Sequence, residues 1–147
     1  MRDGAESRSE RLTRWVPPIG AVGVAIGAAL PWAASGRRYL SGYDLAGVAR
    51  TFGLADRGGL RWAVTAWLAV PLLAALAVAL TVLGARRAAL VPAALVAVAG
   101  LGVTIWVVKE AKGSAYLGTV VTFASAVLGH AGLLVGAMRT MRVRKRI

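Results

Sequence analysis

The sequence predicts an all-α integral membrane protein: a bundle of four transmembrane helices with one short amphipathic helix in its first outer loop. Three observations lead to this fold class. Hydrophobic residues make up 58% of the 147 residues, whereas a soluble domain is about 45–50% apolar. The apolar residues are concentrated in four long runs. The basic residues lie mainly at the ends of those runs.

The four runs define the expected membrane spans. They cover residues 15–34, 62–83, 88–108 and 116–138. Each run is long enough, because a bilayer core about 30 Å thick is crossed by roughly 20 apolar residues in a helix. The sequence between and beyond them predicts an outer loop at residues 35–61 and basic cytoplasmic tails at residues 1–14 and 139–147. We expect a single membrane domain.

The first run also has an alternative interpretation as a cleaved signal peptide, because small residues follow it at Ala33, Ala34 and Ser35. Its apolar stretch is long for a signal peptide, and the bulky Trp32 is close to the possible cleavage point. These two features favour a retained span. Prolines at positions 17 and 18 are expected at the start of its helix, where proline is tolerated.

The basic residues predict the orientation. With the N-terminus inside, eleven of the 18 lysines and arginines lie inside and seven outside. Cytoplasmic loops of membrane proteins carry the excess of basic residues. We therefore expect a multi-pass protein of the bacterial plasma membrane with both termini in the cytoplasm.

The net charge of +12 would suggest nucleic-acid binding in a soluble protein. Here the bases flank apolar runs, which favours contact with anionic lipid headgroups. We therefore expect membrane lipids as partners and no nucleic acid. The chain has no cysteine, which excludes disulfide exchange and thiolate metal sites.

The outer loop predicts one short helix, at about residues 42–52. Ser41 and Asp44 have the spacing of a capping box, in which each side chain bonds the backbone of the other. Gly53 is suitably placed to end the helix. The apolar residues recur at helical spacing and form one face: Leu45, Val48, Ala49 and Phe52.

Five arginines lie in the same loop against two acidic residues. They have two interpretations: contact with headgroups, or a specific site for an anion, because arginine binds phosphate through two parallel hydrogen bonds. The candidate interaction residues of the loop are Arg37, Arg38, Tyr39, Ser41, Asp44 and Arg50.

The span interiors contain no Asp, Glu, Lys or Arg, which argues against a pump or a proton-coupled transporter. His130 is the only histidine. We expect it to be structural, bonded to a backbone carbonyl or to a Thr or Ser hydroxyl. Candidate helix-packing positions follow the GxxxG spacing: Gly23, Gly27, Gly132 and Gly136.

Aromatic rings lie near the predicted ends of the spans, where amphipathic rings anchor a helix at the interface. They are Trp15, Trp32, Trp62, Trp106 and Tyr116. No constellation of His, Asp, Glu or Ser with catalytic spacing is present, and no phosphate-binding loop. We expect no catalytic residue, no cofactor and no metal site.

A loose pattern extends over about the first 85 residues. It comprises Pro31-Trp32-Ala33-Ala34-Ser35-Gly36, Arg37-Arg38, Ser41-Gly42-Tyr43-Asp44-Leu45, and Trp67 with Pro71-Leu72-Leu73. In this pattern the chain resembles uncharacterised small four-span membrane proteins of actinobacteria. The resemblance implies a four-helix bundle with a short outer loop, and it implies no activity, ligand or catalytic residue.

By elimination, the sequence favours a non-enzymatic function as an accessory or scaffold subunit of a bacterial plasma-membrane or envelope assembly. Its partner would be another membrane protein or a second copy of the chain. Two alternatives remain open at this point. One is a small oligomeric channel or transporter, and the other is a protein that binds anionic lipid through the outer-loop arginines.

Overall fold

The computed structural model describes residues 8–35, 37–53, 60–110 and 116–144. Over these residues the chain is mostly helical, as predicted, and it also contains a short β-hairpin that was not predicted. The elements in chain order are α1 (Arg8–Ala29), β1 (Pro31–Ser35), β2 (Arg38–Ser41), α2 (Gly42–Thr51), α3 (Leu60–Val82), α4 (Arg86–Glu110) and α5 (Leu117–Arg144).

Three helices in the described part of the chain are long and apolar enough to cross a membrane. Their apolar segments are Arg61–Val82 in α3, Arg86–Lys109 in α4 and Leu117–Val135 in α5. These segments correspond to the second, third and fourth predicted spans. The length and composition of the three helices are compatible with a multi-pass membrane protein.

Helix α1 departs from the first predicted span. It begins at Arg8 rather than residue 15, so part of the expected tail is helical, and it ends at Ala29 rather than residue 34. Pro17 and Pro18 consequently lie inside the helix and not in its first turn. The early end has a local cause: Pro31 disfavours helical backbone at the residue before it.

After α1 the chain forms the hairpin. Strands β1 and β2 pair antiparallel, with Ala34 opposite Tyr39 and Ser35 opposite Arg38. Arg37 lies in the turn that precedes β2. The hairpin returns the chain to the end of α1, where α2 begins directly after β2.

The four long helices pack against one another, with α1 in contact with α3, α4 and α5. Small side chains fill the core: Val24, Val70, Val96 and Ala126 are fully buried. Small residues bring helix backbones close together, and the resulting dispersion contacts are the main attraction between helices in lipid. The fold therefore depends on close approach between helices rather than on large interlocking side chains.

The closest approach is between α1 and α5. A Cβ atom added to Gly20 would lie 2.7 Å from the Cα of Gly129. One added to Gly23 would overlap Ser125, one on Gly27 would overlap Thr122, and one on Gly132 would lie 2.7 Å from a methyl of Val16. Three of the four glycines proposed for packing thus lie at this contact. The surroundings of the fourth, Gly136, lie outside the described part of the structure. Gly20 and Gly129, which the spacing rule did not select, complete the contact.

Candidate functional site

The site lies at one end of the molecule, called here the α2 end, where α1 ends, α3 begins and α4 ends. Helix α2 is fixed there by its N-terminal cap. The Asp44 amide donates to Ser41 Oγ at 3.1 Å, and the Ser41 amide donates to Asp44 Oδ2 at 2.9 Å. The capping box and the helix predicted from the sequence are both confirmed. After the C-terminus of α2, Gly53 adopts a φ of 66°, the left-handed conformation that often follows the last helical turn.

The negative charge of Asp44 contributes to the stability of the capped helix. The hydrogen bond from the Ser41 side chain, and next the one from its backbone, lower the pKa of Asp44. Because the folded-state pKa is lowered, this contribution is present above the ordinary carboxyl pKa of about 3.9. It is lost as the pH falls through the lower folded-state pKa of Asp44.

We predict that Ser41→Ala will destabilise α2 by about 1 kcal/mol, the usual loss for a capping serine, without unfolding the long helices. The measurement is the rate of tryptic cleavage at Arg50 in the purified protein, together with thermal stability. Cleavage should become faster while the melting temperature changes little. Thr65→Ala is the matched control, because the Thr65 hydroxyl bonds only the Arg61 carbonyl of its own helix. If Ser41→Ala lowered the melting temperature sharply, α2 would be part of the core packing.

The face that α2 turns toward the other helices is centred on Gly42 and Ala46, which are buried. This differs from the predicted apolar face. Of the predicted residues, Leu45 and Ala49 are half-buried, whereas Val48 and Phe52 are exposed. The cause is steric: a Cβ atom on Gly42 would lie 3.2 Å from atoms of both Trp32 and Trp67, so the smallest residues must face the two indoles.

Helix α2 packs against the indole rings of Trp32 and Trp67. Their ring centroids are 5.2 Å apart in an edge-to-face arrangement, a favourable geometry for aromatic pairs. Trp32 is 2% exposed, and its indole Nε1 donates to the Gly27 carbonyl at 2.8 Å. The prediction that Trp32 is an interface anchor was therefore wrong, because the hairpin folds its ring back over the end of α1. By contrast, Trp62 and Trp106 are exposed.

Tyr43 provides a third aromatic contact for α2. Its ring centroid is 6.3 Å from that of Trp67, and its hydroxyl donates to the Ala25 carbonyl of α1 at 3.4 Å. Partial burial raises the pKa of Tyr43, which extends the pH range in which the hydroxyl is protonated and can donate. The contacts of Tyr43, Trp32 and Trp67 join α2 to α1 and α3.

A pocket of about 270 Å³ lies beneath α2. Its walls come from α2, α3 and α4, and its deep part includes Trp32, Gly42 and Trp67. All of the lining side chains are apolar or aromatic. The Nε1 atom of Trp67 is buried and has no hydrogen-bond partner within the described part of the chain. This pocket was not predicted from the sequence.

The predicted interaction residues occupy the same end in two groups. Arg37, Arg38 and Tyr39 are exposed on the hairpin, and Arg50 is exposed on α2. Ser41 and Asp44 bond each other in the cap, and the Asp44 carboxylate also accepts from the Ser41 hydroxyl at 2.7 Å. The hairpin and α2 thus present basic side chains on a framework fixed by the cap and the aromatic contacts.

No protein-family model, curated protein or solved structure matches this chain.

His130 bonds within its own helix. Its Nδ1 atom lies 2.9 Å from the carbonyl oxygen of Ala126, four residues earlier. The predicted hydrogen bond to a backbone carbonyl is confirmed. In the described ranges no group of three His, Cys, Asp or Glu side chains is placed to hold a metal ion.

We predict that His130→Gln will leave membrane abundance unchanged. It should change the melting temperature less than a core substitution does. Glutamine retains a donor for a carbonyl, and the imidazole has no acidic partner on α5. The measurements are abundance in isolated membranes and thermal stability, with Ala131→Leu as the control because Ala131 is exposed on the apolar surface of the same helix. Normal abundance together with loss of an associated phenotype would instead identify a proton-relay function.

Proposed function

We propose that this chain is a non-enzymatic plasma-membrane protein with four spans, α1, α3, α4 and α5, that serves as an accessory or scaffold subunit of a bacterial membrane or envelope assembly. Its termini lie in the cytoplasm and the α2 end faces outward. The exposed surface of the helices supports a location in the membrane, because it is apolar along their length; the orientation rests on the distribution of basic residues. Examples are Ile26 on α1, Leu72 on α3, Val98 on α4 and Leu134 on α5.

The fourth span in this proposal is α1. From Trp15 to Ala29 the helix rises about 22 Å, at 1.5 Å per residue, and Leu30 to Trp32 extend the apolar segment further. Its packing against three other long helices also supports a place within the bilayer. Arg14 lies at the opposite end from α2, where its guanidinium donates to the Thr81 carbonyl at 3.3 Å. That contact joins the start of α1 to the end of α3.

The observation that carries the accessory role is the fixed, basic surface at the α2 end. A subunit that recognises a partner benefits from a preorganised surface, because less conformational entropy is lost on binding. The capping box and the contacts of Trp32 and Tyr43 hold α2 and the hairpin in place. Arg37, Arg38 and Arg50 remain exposed and available to an acidic or phosphorylated partner.

The interior gives less support to the transport alternative. A polar cavity lined by His130 and Thr or Ser hydroxyls would have favoured transport. In the described part of the chain, His130 bonds its own helix, and the pocket at the α2 end is apolar and does not include His130. A channel built from this chain would need its pore between protomers.

Co-purification tests the proposal. The full-length protein, extracted in mild detergent, should retain a stoichiometric membrane partner identified by mass spectrometry. Arg37→Gln with Arg38→Gln should reduce the retained partner severalfold and make the remaining association less sensitive to salt. Arg86→Gln with Arg87→Gln, an adjacent pair at the opposite end, is the matched control. Recovery of a self-oligomer with no other protein would favour the channel alternative instead.

A further inference from the structure

We infer that the pocket beneath α2 binds one acyl chain of an anionic diacyl glycerophospholipid from the bilayer. This inference goes beyond the accessory role and requires only that α3 and α4 lie in a membrane. Four observations support it: the position of the opening, the chemistry of the walls, the size and the basic residues near the opening.

The pocket opens sideways, toward the lipid. Among its lining residues, Val48, Ala63 and Trp106 are exposed, whereas Trp32, Ala46 and Trp67 are buried. The opening therefore lies between the first turns of α3 and the last turns of α4, with α2 above it. Both helices have the length and composition of membrane spans.

The chemistry and size fit a hydrocarbon chain. An apolar cavity of about 150 Å³ is known to bind benzene. By that comparison, a pocket of about 270 Å³ holds roughly ten carbon atoms. This is a substantial part of one acyl chain and too little for a whole two-chain lipid. The second chain would remain in the bilayer.

Each of the three helices that line the pocket carries a basic residue one turn away from a lining residue. Arg50 follows Ala46 by four positions on α2, Arg61 precedes Val64 by three on α3, and Lys109 follows Trp106 by three on α4. Residues three or four positions apart lie on the same side of a helix. All three bases are exposed. A phosphate group next to the opening would therefore find cations on each helix, which favours an anionic headgroup.

The first experiment uses phosphatidylglycerol with a photoreactive diazirine in the middle of one acyl chain, added to nanodiscs that contain the full-length protein. Crosslinks mapped by mass spectrometry should be concentrated in α2, the first turns of α3 and the last turns of α4. Ala63→Trp, which fills the opening, should reduce them at least fivefold. Ala66→Trp is the matched control, because Ala66 is exposed on the same helix and does not line the pocket. Equal labelling of all lipid-facing helices, or equal effects of the two variants, would overturn the inference.

The second experiment tests the headgroup by competition between unlabelled lipids with identical chains. Phosphatidylcholine should displace the probe less well than phosphatidylglycerol, because it carries no net negative charge. Equal competition by the two lipids would contradict the anionic headgroup.

Discussion

Replacing Gly20 by leucine is expected to separate α1 from α5 and to destabilise the protein by about 3 kcal/mol, the upper part of the usual range for overpacking a close contact. A Cβ atom at Gly20 already approaches the backbone of Gly129 to 2.7 Å, and backbone atoms cannot rotate away as a flexible side chain can. The helices must therefore move apart, which also weakens the neighbouring contacts of Gly23 and Gly27.

The measurement is the midpoint of heat-induced loss of the monodisperse species in detergent. Gly102→Leu is the control, because Gly102 lies in the middle of α4 with no atom within 4 Å of an added Cβ. That variant exchanges the same residue types at an exposed site, where leucine is the better helix former. Similar midpoints for the two variants would show that the close α1–α5 contact does not determine stability.

The second large effect is expected for Trp32→Ala, which should cost roughly 3–5 kcal/mol, the range for removing a large buried aromatic side chain. The substitution removes the ring beneath α2, its edge-to-face contact with Trp67 and its hydrogen bond to Gly27. Helix α2 and the hairpin should lose their fixed position, because Trp32 connects both to the end of α1. Trp32→Phe keeps a ring and should cost about 1 kcal/mol for the lost hydrogen bond, in addition to the smaller ring volume.

Thermal midpoints and tryptic cleavage at Arg50 report these changes together. Trp62→Ala provides the comparison, because Trp62 is 76% exposed and its loss leaves no internal cavity. We expect the order of destabilisation to be Trp32→Ala, then Trp32→Phe, then Trp62→Ala. A larger loss for Trp62→Ala than for Trp32→Ala would contradict the assignment of Trp32 to the core.

Local signals in the sequence were sufficient to predict α2 and the helices that have uninterrupted apolar runs. The runs behind α3, α4 and α5 contain no charged residue, so their period and length define them directly. The Ser41–Asp44 pair is a contact within four residues, so its geometry follows from sequence spacing alone. In these cases the interactions that determine the structure are short-range.

The features that were missed depend on contacts between distant residues. Hydropathy treats residues 15–34 as one run, because β1 is as apolar as the helix before it; the end of α1 is instead associated with Pro31 and with Trp32 bonding back to Gly27. The inward face of α2 is determined by two indoles from outside that helix. The pocket combines α2, α3 and α4, and no spacing in the sequence brings Ala49, Ala63 and Val107 together.

Gly20 and Gly129 illustrate the same limit at the helix contact. The GxxxG rule selected Gly23 and Gly27, which do lie against α5. Gly20 is three residues before Gly23 and belongs to no such pair, yet it makes the close backbone approach to Gly129. A pattern rule identifies helices capable of close contact, whereas the crossing point depends on how the two helices are rotated toward each other.

The central claim is that α1 crosses the membrane as a fourth span, and labelling of single cysteines from one side tests it most directly. The natural chain has no cysteine, so each introduced thiol is the only target for a membrane-impermeant maleimide. With intact cells, Arg38→Cys on the hairpin should be labelled, whereas Arg87→Cys and Ser7→Cys should be labelled only after permeabilisation. Labelling of Ser7→Cys from outside, with the other two results unchanged, would show that α1 does not cross and that the protein has three spans.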